Sequence, residues 1–204
     1  MKHPLIHDIF KVPIYEFRLD LDNDKLYDFC LKYEKTDSGD SSRVISNLGG
    51  YQSKDLDLNK PILHPLLKEI KLHADTFSNK VLNGLDQNVD NIWLNINRYK
   101  DSNLTHNHPN AEISGTYYIK TPDKCGQIIF EHPAFYTLSY YNSQREGAKR
   151  KEEWGPYDSI TWAMPVYSGS LYLFPSWLNH RVDPNMNKTE ERISLSFNIH
   201  YKGE

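Results

Sequence analysis

Three histidines, His106, His108 and His180, have the side-chain type and the spacing needed to bind one metal ion. His106 and His108 are separated by one residue, and side chains two apart on a β-strand point to the same face, so these imidazoles can share an ion. His180 follows an apolar stretch that turns polar, and it can supply a third ligand from a distant strand. A facial set with open coordination positions is typical of non-haem iron(II).

Arg192 begins the clearest strand pattern in the chain, which runs to Tyr201. Its apolar face contains Ile193, Leu195, Phe197 and Ile199, and its polar face contains Arg192, Ser194, Ser196 and Asn198. If the polar face lines a cavity, Arg192 can hold a carboxylate through two parallel charge-assisted hydrogen bonds. If that face meets solvent, Arg192 is an ordinary surface arginine. The order of the motifs favours a metal together with an acidic cosubstrate.

The elements that would position these residues are mostly short strands. Alternating apolar residues between turn residues predict strands over 91–99, 114–120, 127–131, 159–163, 170–174 and 192–201. The first of these places Ile92, Leu94 and Ile96 on one face. Many short strands imply a β-sandwich or barrel.

Two helices are predicted before residue 90. Asp22, Asn23 or Asp24 can cap the first, and its apolar stripe contains Leu26, Phe29, Cys30 and Tyr33. The second begins near Pro65, turns Leu66, Ile70, Ala74, Phe77 and Val81 inward, and ends at Asn83-Gly84. His64 and His73 lie on or beside it and lack a second ligand at i+4, so we interpret them as ordinary packing-helix residues. Between the helices, 46–53 is either a substrate-facing loop or an ordinary turn.

Composition excludes several functional classes. The 204 residues fit one domain, 1–204, with 1–90 as helical and supporting segments. A net charge of −3 with interspersed charges gives no nucleic-acid signal. Cys30 and Cys125 are too few for a disulfide scaffold, and no apolar run approaches the length needed to cross a membrane. The residues Met1-Lys2-His3-Pro4 lack the apolar stretch that a secretory signal needs, so we do not expect one. We expect a cytoplasmic protein, with exposed β-edges that allow a homodimer.

Four ordered motifs resemble the iron(II) and 2-oxoglutarate-dependent oxygenases, and specifically a bacterial and phage subgroup with a His-x-His-Pro motif. They are His-x-His-Pro at 106–109, Ser-Gly-Thr-Tyr-Tyr at 114–118, Phe-Pro-Ser-Trp-Leu-x-His at 174–180 and Arg-Ile-Ser-Leu-Ser-Phe-Asn at 192–198. Each motif alone is weak, but the combination makes coincidence improbable. The resemblance implies a mainly β (α+β) fold: a double-stranded β-helix (jelly roll, cupin-like) over 91–204 with flanking N-terminal helices.

The resemblance also implies roles for individual residues. His106 and His180 correspond to iron ligands, and Arg192 to the partner of the far carboxylate of 2-oxoglutarate, assisted by Tyr118 and Ser194. His108 stands where most of the superfamily has aspartate. A third neutral imidazole makes zinc a stronger competitor for the site. Asp101 and Glu112 are alternative carboxylate ligands, but the same-face geometry favours His108.

The implied activity is a dioxygenase reaction that uses Fe(II), 2-oxoglutarate and O2. It would convert 2-oxoglutarate to succinate and CO2 while hydroxylating, desaturating or cyclising a substrate that the sequence does not identify. A zinc-dependent hydrolase and a non-catalytic jelly-roll binding module are the alternatives.

A long connection over 133–158 interrupts the predicted core. Its charged part, 143–153, is either a lid over the substrate entrance or a solvated insertion. His132 precedes it and can line an opening opposite the iron, although an ordinary loop histidine is the simpler interpretation. His3, His7 and His200 have no partner that the sequence identifies.

Overall fold

The structure, a computed structural model, describes residues 5, 7, 9–37, 45–84, 86–144, 155 and 157–201. The helices are α1 (Asn23–Thr36), α2 (His64–Val81, preceded by a 3-10 turn at Pro61–Leu63) and α3 (Phe135–Ser143). The strands are β1 (Tyr15–Arg18), β2 (Asn47–Leu48), β3 (Tyr51–Gln52), β4 (Gln87–Asn97), β5 (Ser102–His106), β6 (Ile113–Lys120), β7 (Gln127–Glu131), β8 (Thr161–Pro165), β9 (Ser170–Pro175), β10 (His180–Val182) and β11 (Arg192–Tyr201).

The described strands form two antiparallel sheets. The major sheet has the order β1-β9-β6-β11-β4-β3, and the minor sheet has the order β2-β5-β10-β7-β8. From β4 onward, consecutive strands alternate between the sheets except at β7 and β8, which are neighbours in the minor sheet. A cavity lies between the two layers. This arrangement is the predicted double-stranded β-helix, and the mainly β prediction is confirmed.

The main hydrophobic core lies between the major sheet and the two N-terminal helices. Along β4 and β11 the apolar positions alternate toward α2, and Ile92, Leu94, Ile193 and Leu195 are fully buried. Burial of one such side chain contributes roughly 1.5–3 kcal/mol. Because this face is committed to the helices, the opposite face of the same strands is turned toward the cavity, as the alternation predicts.

Both predicted helices are present. Asp22 is the N-cap of α1 and accepts a hydrogen bond from the Lys25 backbone N–H (3.1 Å). Pro65 lies in the first turn of α2, and Gly84, with φ of +75°, follows its C-terminal end. His64 is exposed and the His73 ring stacks on Phe17 at 3.8 Å, so neither belongs to a metal cluster of the described residues.

The first ninety residues contribute strands that the sequence analysis did not predict. β1 pairs with β9 and β3 pairs with β4 in the major sheet, while β2 pairs with β5 in the minor sheet. These strands have only two to four residues, too few for a recognisable alternation. β4 also begins at Gln87 rather than residue 91, and β8 begins two residues later than the predicted 159. The assignment of 1–204 to one domain stays a prediction.

The Gly49-Gly50 turn carries the chain from the minor sheet to the major sheet. Both glycines have positive φ, and a Cβ on Gly49 would collide with the Asp101 carboxylate. Ser46 and Gln52, at either end of this segment, line the cavity. The segment is therefore a turn whose two ends face the cavity, and its contact with a substrate stays a prediction.

The long connection after β7 contains α3, a helix that the sequence analysis did not predict. None of the described residues of α3 is buried, which explains why the segment lacks a clear apolar stripe. Residues 145–154 and 156 lie outside the described residues, so most of the predicted 143–153 lid does too.

No described helix is long and apolar enough to span a membrane. Cytoplasmic localisation and the homodimer stay predictions.

Candidate active site

His106 and His180 are brought together by strand pairing in the minor sheet. His106 is the last residue of β5 and His180 is the first residue of β10, and they are direct partners in the antiparallel register. Their ring centroids are 4.4 Å apart. Side chains of directly opposed residues lie on the same face, so both imidazoles point into the same space.

His108 completes the cluster, but it does not lie on the same strand as His106. β5 ends at His106, and the backbone N–H of His108 donates to the Ser176 carbonyl oxygen (2.9 Å) in the turn before β10. The His108 Nε2 is 3.3 Å from the His180 Nε2, and one ligand atom from each of the three residues lies within 4.8 Å of the others. The predicted grouping is therefore present. The reason given for it, that His106 and His108 lie on one strand, is wrong, because the hydrogen bond to Ser176 in the turn positions His108.

Backbone carbonyls set the orientation of two imidazoles. The Nδ1 of His106 lies 2.7 Å from the Leu104 carbonyl oxygen, and the Nδ1 of His180 lies 2.9 Å from the Leu178 carbonyl oxygen. A carbonyl can only accept, so each Nδ1 carries the proton and each Nε2 keeps its lone pair for a metal. Burial lowers the pKa of all three histidines, that of His108 to about 4. Neutral imidazole is the form that binds metals.

Neither alternative carboxylate joins the cluster. Asp101 accepts a hydrogen bond from the Arg98 backbone N–H (2.7 Å) in the turn after β4. Glu112 accepts from the Tyr201 backbone N–H (2.8 Å) and lies 3.6 Å from His200. Both carboxylates therefore stabilise local structure, and the metal-capable cluster of the described residues contains three histidines and no carboxylate. His200, for which the sequence identified no partner, has Glu112 and Asp90.

Arg192 is buried, with 1% of its surface exposed, and it lines the same cavity as the histidines. Its Nη1 donates to the carbonyl oxygens of Cys125 and Asp183 (2.9 Å for the latter). Its Nη2 is buried without a hydrogen-bond partner. Gly126 permits this arrangement, because it has a φ of +87° and a Cβ there would lie 2.9 Å from Arg192 Nη1.

The Arg192 charge has no ion-pair partner among the described residues, and burial lowers its pKa. A buried guanidinium with an unused donor costs free energy unless an acceptor arrives. A carboxylate would supply both the charge and the acceptor, and guanidinium groups bind carboxylates with matching geometry. This end of the cavity is therefore suited to an acidic ligand.

Tyr118 and Ser194 lie beside Arg192 as predicted. Ser194 on β11 is the register partner of Tyr118 on β6, and both are buried and line the cavity. Burial raises the pKa of Tyr118, so its phenol stays protonated and can donate a hydrogen bond. The two hydroxyls and the Arg192 guanidinium thus form a donor-rich region.

The cavity between the sheets has a volume of about 270 Å³. Trp93 and Phe174 pack near the metal-capable cluster, with ring centroids 5.7 Å from His108 and 4.6 Å from His180 respectively. Polar, uncharged side chains form much of the remaining lining: Ser46, Gln52, Asn91, Asn95, Asn103, Asn107, Thr116, Ser194, Ser196 and Asn198. Most of these were not predicted as site residues, although the polar alternation of β4 and β11 is the signal that could have found Asn91, Asn95 and Asn198.

His132 belongs to a different region. It follows β7, its Nδ1 accepts a hydrogen bond from the Ala134 backbone N–H (3.0 Å), and it lines a second, larger cavity of about 780 Å³ beside Trp162 and Val12. It is not among the residues that line the cavity with the three histidines. The loop-histidine interpretation fits this position.

Solved structures with the same fold are enzymes of several kinds. A prolyl-4-hydroxylase from Pseudomonas putida superimposes with a TM-score of 0.65 at 14% identity, covering 94% of both chains. The protein HygX from Streptomyces hygroscopicus, solved with nickel and 2-oxoglutarate bound, has a TM-score of 0.62 at 11% identity and covers 94% of this chain and 84% of its own. The α-ketoglutarate-dependent epimerase SnoN from nogalamycin biosynthesis has a TM-score of 0.65 at 12% identity, over 94% and 82%. At these identities the likeness establishes the fold.

One curated protein is similar in sequence to most of this chain, but over only a small part of its own length. It is an uncharacterized lipoprotein from Mycoplasma pneumoniae, 24% identical over 175 residues, which is 77% of this chain. The chain spans only 22% of that relative.

Residues 91–198 match the family described as "Putative 2OG-Fe(II) oxygenase". The match contains all three clustered histidines, Tyr118, Arg192 and Ser194, and it covers just over half of the 204 residues. This protein therefore belongs to the 2OG-Fe(II) oxygenase family, whose cofactors are iron and 2-oxoglutarate.

Proposed function

We propose that this protein couples the oxidative decarboxylation of 2-oxoglutarate, to succinate and CO2, with hydroxylation of a substrate by O2. His106, His108 and His180 would hold iron(II), and Arg192, Tyr118 and Ser194 would hold the far carboxylate of 2-oxoglutarate. The observation that carries the proposal is the buried Arg192 Nη2, which lacks a partner in the cavity that the histidines also line.

The residues present fit both groups. Three imidazoles that each bring one ring nitrogen within 4.8 Å of the others, two of them fixed through Nδ1, are a suitable donor set for a divalent transition metal. Arg192 is the only formally charged side chain among the described residues that line this cavity. Arg192 is therefore the natural partner of the far carboxylate of 2-oxoglutarate, the one that would not bind the metal.

The bound iron(II) and 2-oxoglutarate supply the oxidising chemistry, and the protein supplies position. Arg192 is held by two backbone carbonyls, so its free nitrogen fixes one end of the cosubstrate without much loss of side-chain freedom. Tyr118 donates beside it because its phenol stays protonated. Trp93 and Phe174 exclude water from one side of the histidines.

The two alternative functions are less well supported. A zinc hydrolase needs a general base near the metal-bound water, and no carboxylate occurs among the described residues that line the cavity. A non-catalytic binding module has no need for an unpartnered buried arginine beside a metal-capable cluster. Family membership also favours an enzyme.

The test is an anaerobic titration of metal-free protein with iron(II) and then 2-oxoglutarate, followed by the visible charge-transfer absorption. We expect a saturable band in the wild type and in Arg181→Ala. Arg181 is the matched control because it is adjacent to His180 but directs its charge to Glu131 and Asp183 outside the cavity.

Arg192→Lys keeps the positive charge but loses the planar fork. We expect it to need on the order of tenfold more 2-oxoglutarate for the same absorption. Absence of the band in wild-type protein that binds iron(II) stoichiometrically would refute the proposal. Equal 2-oxoglutarate affinity in Arg192→Lys and wild type would refute the role of Arg192.

A further inference from the structure

We propose that Asn91 and Asn198 select a primary carboxamide as the part of the substrate that enters the cavity. This inference rests on the proposed oxygenase function and adds the substrate class. It follows from a hydrogen-bond acceptor and a hydrogen-bond donor that adjacent strands place side by side in the cavity.

Asn91 and Asn198 are direct partners in the register between β4 and β11, and both line the cavity. Side chains of directly opposed residues have Cβ atoms about 4.5–5.5 Å apart. The pair lies at the opposite end of the β11 polar face from Arg192, with Ser194 and Ser196 between them. The amides are therefore separated from the predicted carboxylate site by most of the strand.

Neighbouring residues orient both amides. Asn91 Nδ2 lies 3.4 Å from the Asp55 carboxylate, and this leaves Asn91 Oδ1 buried without a hydrogen-bond partner. Ser114 Oγ donates to Asn198 Oδ1 (2.8 Å), so Asn198 has Nδ2 to offer to the cavity. One residue thus presents an acceptor and the other presents a donor.

The remaining polar residues of this wall are engaged with each other. Gln52 Nε2 donates to Asn95 Oδ1 (3.1 Å), Asn95 Nδ2 donates to Ser196 Oγ (3.1 Å), and Ser196 Oγ donates to Thr116 Oγ1 (3.3 Å). This chain crosses β3, β4, β11 and β6. Because its members satisfy one another, the recognition of a further ligand falls to the Asn91 and Asn198 pair.

Charged groups can use only one member of the pair. A carboxylate can only accept, so it can bond to Asn198 Nδ2 but not to Asn91 Oδ1. An ammonium group can only donate, so it can bond to Asn91 Oδ1 but not to Asn198 Nδ2. Either group leaves the other member of the pair without a partner.

A primary carboxamide matches the pair better than a peptide amide does. One N–H and the C=O of a primary carboxamide lie on the same edge of its plane, so the group can donate to Asn91 Oδ1 and accept from Asn198 Nδ2 together. In a trans peptide amide the N–H and the C=O point in opposite directions, so it cannot bond to both side chains. The cavity of about 270 Å³ must also accommodate 2-oxoglutarate, so only a small part of a larger substrate can enter. A side-chain carboxamide fits these limits.

The test uses protein loaded with zinc(II) and 2-oxoglutarate, which is diamagnetic and does not turn over. The side-chain amide signals of Asn91 and Asn198 are followed by NMR during titration with acetamide, acetate, methylammonium or ethane-1,2-diol. We expect a saturable shift of both signals with acetamide and a response at least tenfold weaker with the other three.

The variants Asn91→Ala and Asn198→Ala should each bind acetamide about tenfold more weakly, because each removes one hydrogen bond to the ligand. In the variants, the remaining asparagine signal and neighbouring backbone amides report binding. Asn103→Ala is the matched control, since Asn103 lines the same cavity on β5 but is not paired with either residue. It should bind the amide as the wild type does.

The 2-oxoglutarate affinity of every sample separates the two proposals and checks folding. If the wild type does not bind 2-oxoglutarate, the oxygenase proposal fails. If it does, the carboxamide inference fails on any of three results: no response to acetamide, binding of a charged probe or the diol as tight as that of acetamide, or wild-type acetamide affinity in both alanine variants.

Discussion

The two sheets that enclose the cavity differ in how they are supported. In the major sheet, β6 and β9 are buried almost throughout, and α1 and α2 cover the outer face of the sheet. In the minor sheet, β5, β8 and β10 are short and half-exposed, and the described helices make no comparable contact with them. The major sheet contains Arg192 and the asparagine pair, whereas the histidines lie on or next to the minor sheet.

Because of this difference, the residues that stabilise the fold and the residues that would bind the metal lie in different regions. The larger of the two apolar clusters lies behind the major sheet, where burial of its side chains stabilises the fold. The minor sheet has a smaller apolar cluster inside the barrel, and its histidines take their orientation from backbone carbonyls rather than from the helices. Substitutions in the two regions should therefore affect different measurements.

The largest change in stability is expected from Phe77→Ala in α2. Phe77 is fully buried, with its ring 4.9 Å from that of Tyr15, so the substitution should lower the free energy of unfolding by about 3–5 kcal/mol. Denaturant unfolding measures the loss. Leu72→Ala, on the exposed side of the same helix, should change it by less than about 0.5 kcal/mol. Similar losses in both variants would contradict the location of the main core.

His180→Ala should weaken metal binding much more than it lowers stability. It removes one of the three proposed ligands, so zinc affinity measured against a chromophoric chelator should fall by at least about a hundredfold. The metal-free protein should lose less stability than Phe77→Ala does, because the His180 imidazole packs against Phe130 and Phe174 of the smaller apolar cluster and not against the helices. His73→Ala is the control, since His73 stacks on Phe17 outside the cavity. Unchanged zinc affinity in His180→Ala would show that the three histidines do not form the site.

His108→Asp sharpens the comparison at the one position that lacks the usual carboxylate. An anionic oxygen ligand should shift the ratio of iron(II) to zinc affinity toward iron(II) by about tenfold, because zinc favours nitrogen and sulfur ligands. Competition binding of the two metals measures the ratio. His108→Asn has nearly the same size without the charge, and it should not show the shift. An equal shift in both variants would mean that size rather than charge is responsible.

The smallest effect is expected where the chain passes from the major sheet to the minor sheet. Arg98 follows β4 and forms a bidentate ion pair with Glu34 of α1 (2.8 and 2.7 Å). The Arg98 side chain is about half exposed, so Arg98→Ala should cost less than about 1 kcal/mol of unfolding free energy, and less at high salt. A loss above about 2 kcal/mol would show that this junction is as important to stability as the helical core.

Long, regular patterns could be predicted from the sequence. The alternation of Ile193, Leu195 and Phe197 with polar residues predicted both the strand and its two faces, because ten consecutive residues repeat with a period of two. The helix of Leu66, Ile70 and Phe77 was predicted for the same reason at a helical period. The strands β2, β3 and β10 were not predicted, since two or three residues contain no measurable period.

The candidate site was predicted in its members but not in its geometry. His106, His108, His180, Arg192, Tyr118 and Ser194 were found through their residue types and order, and the structure places all six around one cavity. The reason given for His108 was wrong, because its position depends on a hydrogen bond to Ser176, which is distant in sequence. The asparagine pair was missed for a similar reason: Asn91 and Asn198 become neighbours only through strand register.

By itself, the sequence determined the fold class, the two helices, the faces of the longest strands and the residues able to bind a metal and an acid. Those properties depend on side-chain chemistry and local periodicity, which are written along the chain. Only the tertiary structure decided that Arg192 keeps one buried nitrogen without a partner, that Asp101 and Glu112 are engaged elsewhere, and that two asparagines face each other. Each of these depends on contacts between residues far apart in sequence, which form only when the two sheets close around the cavity.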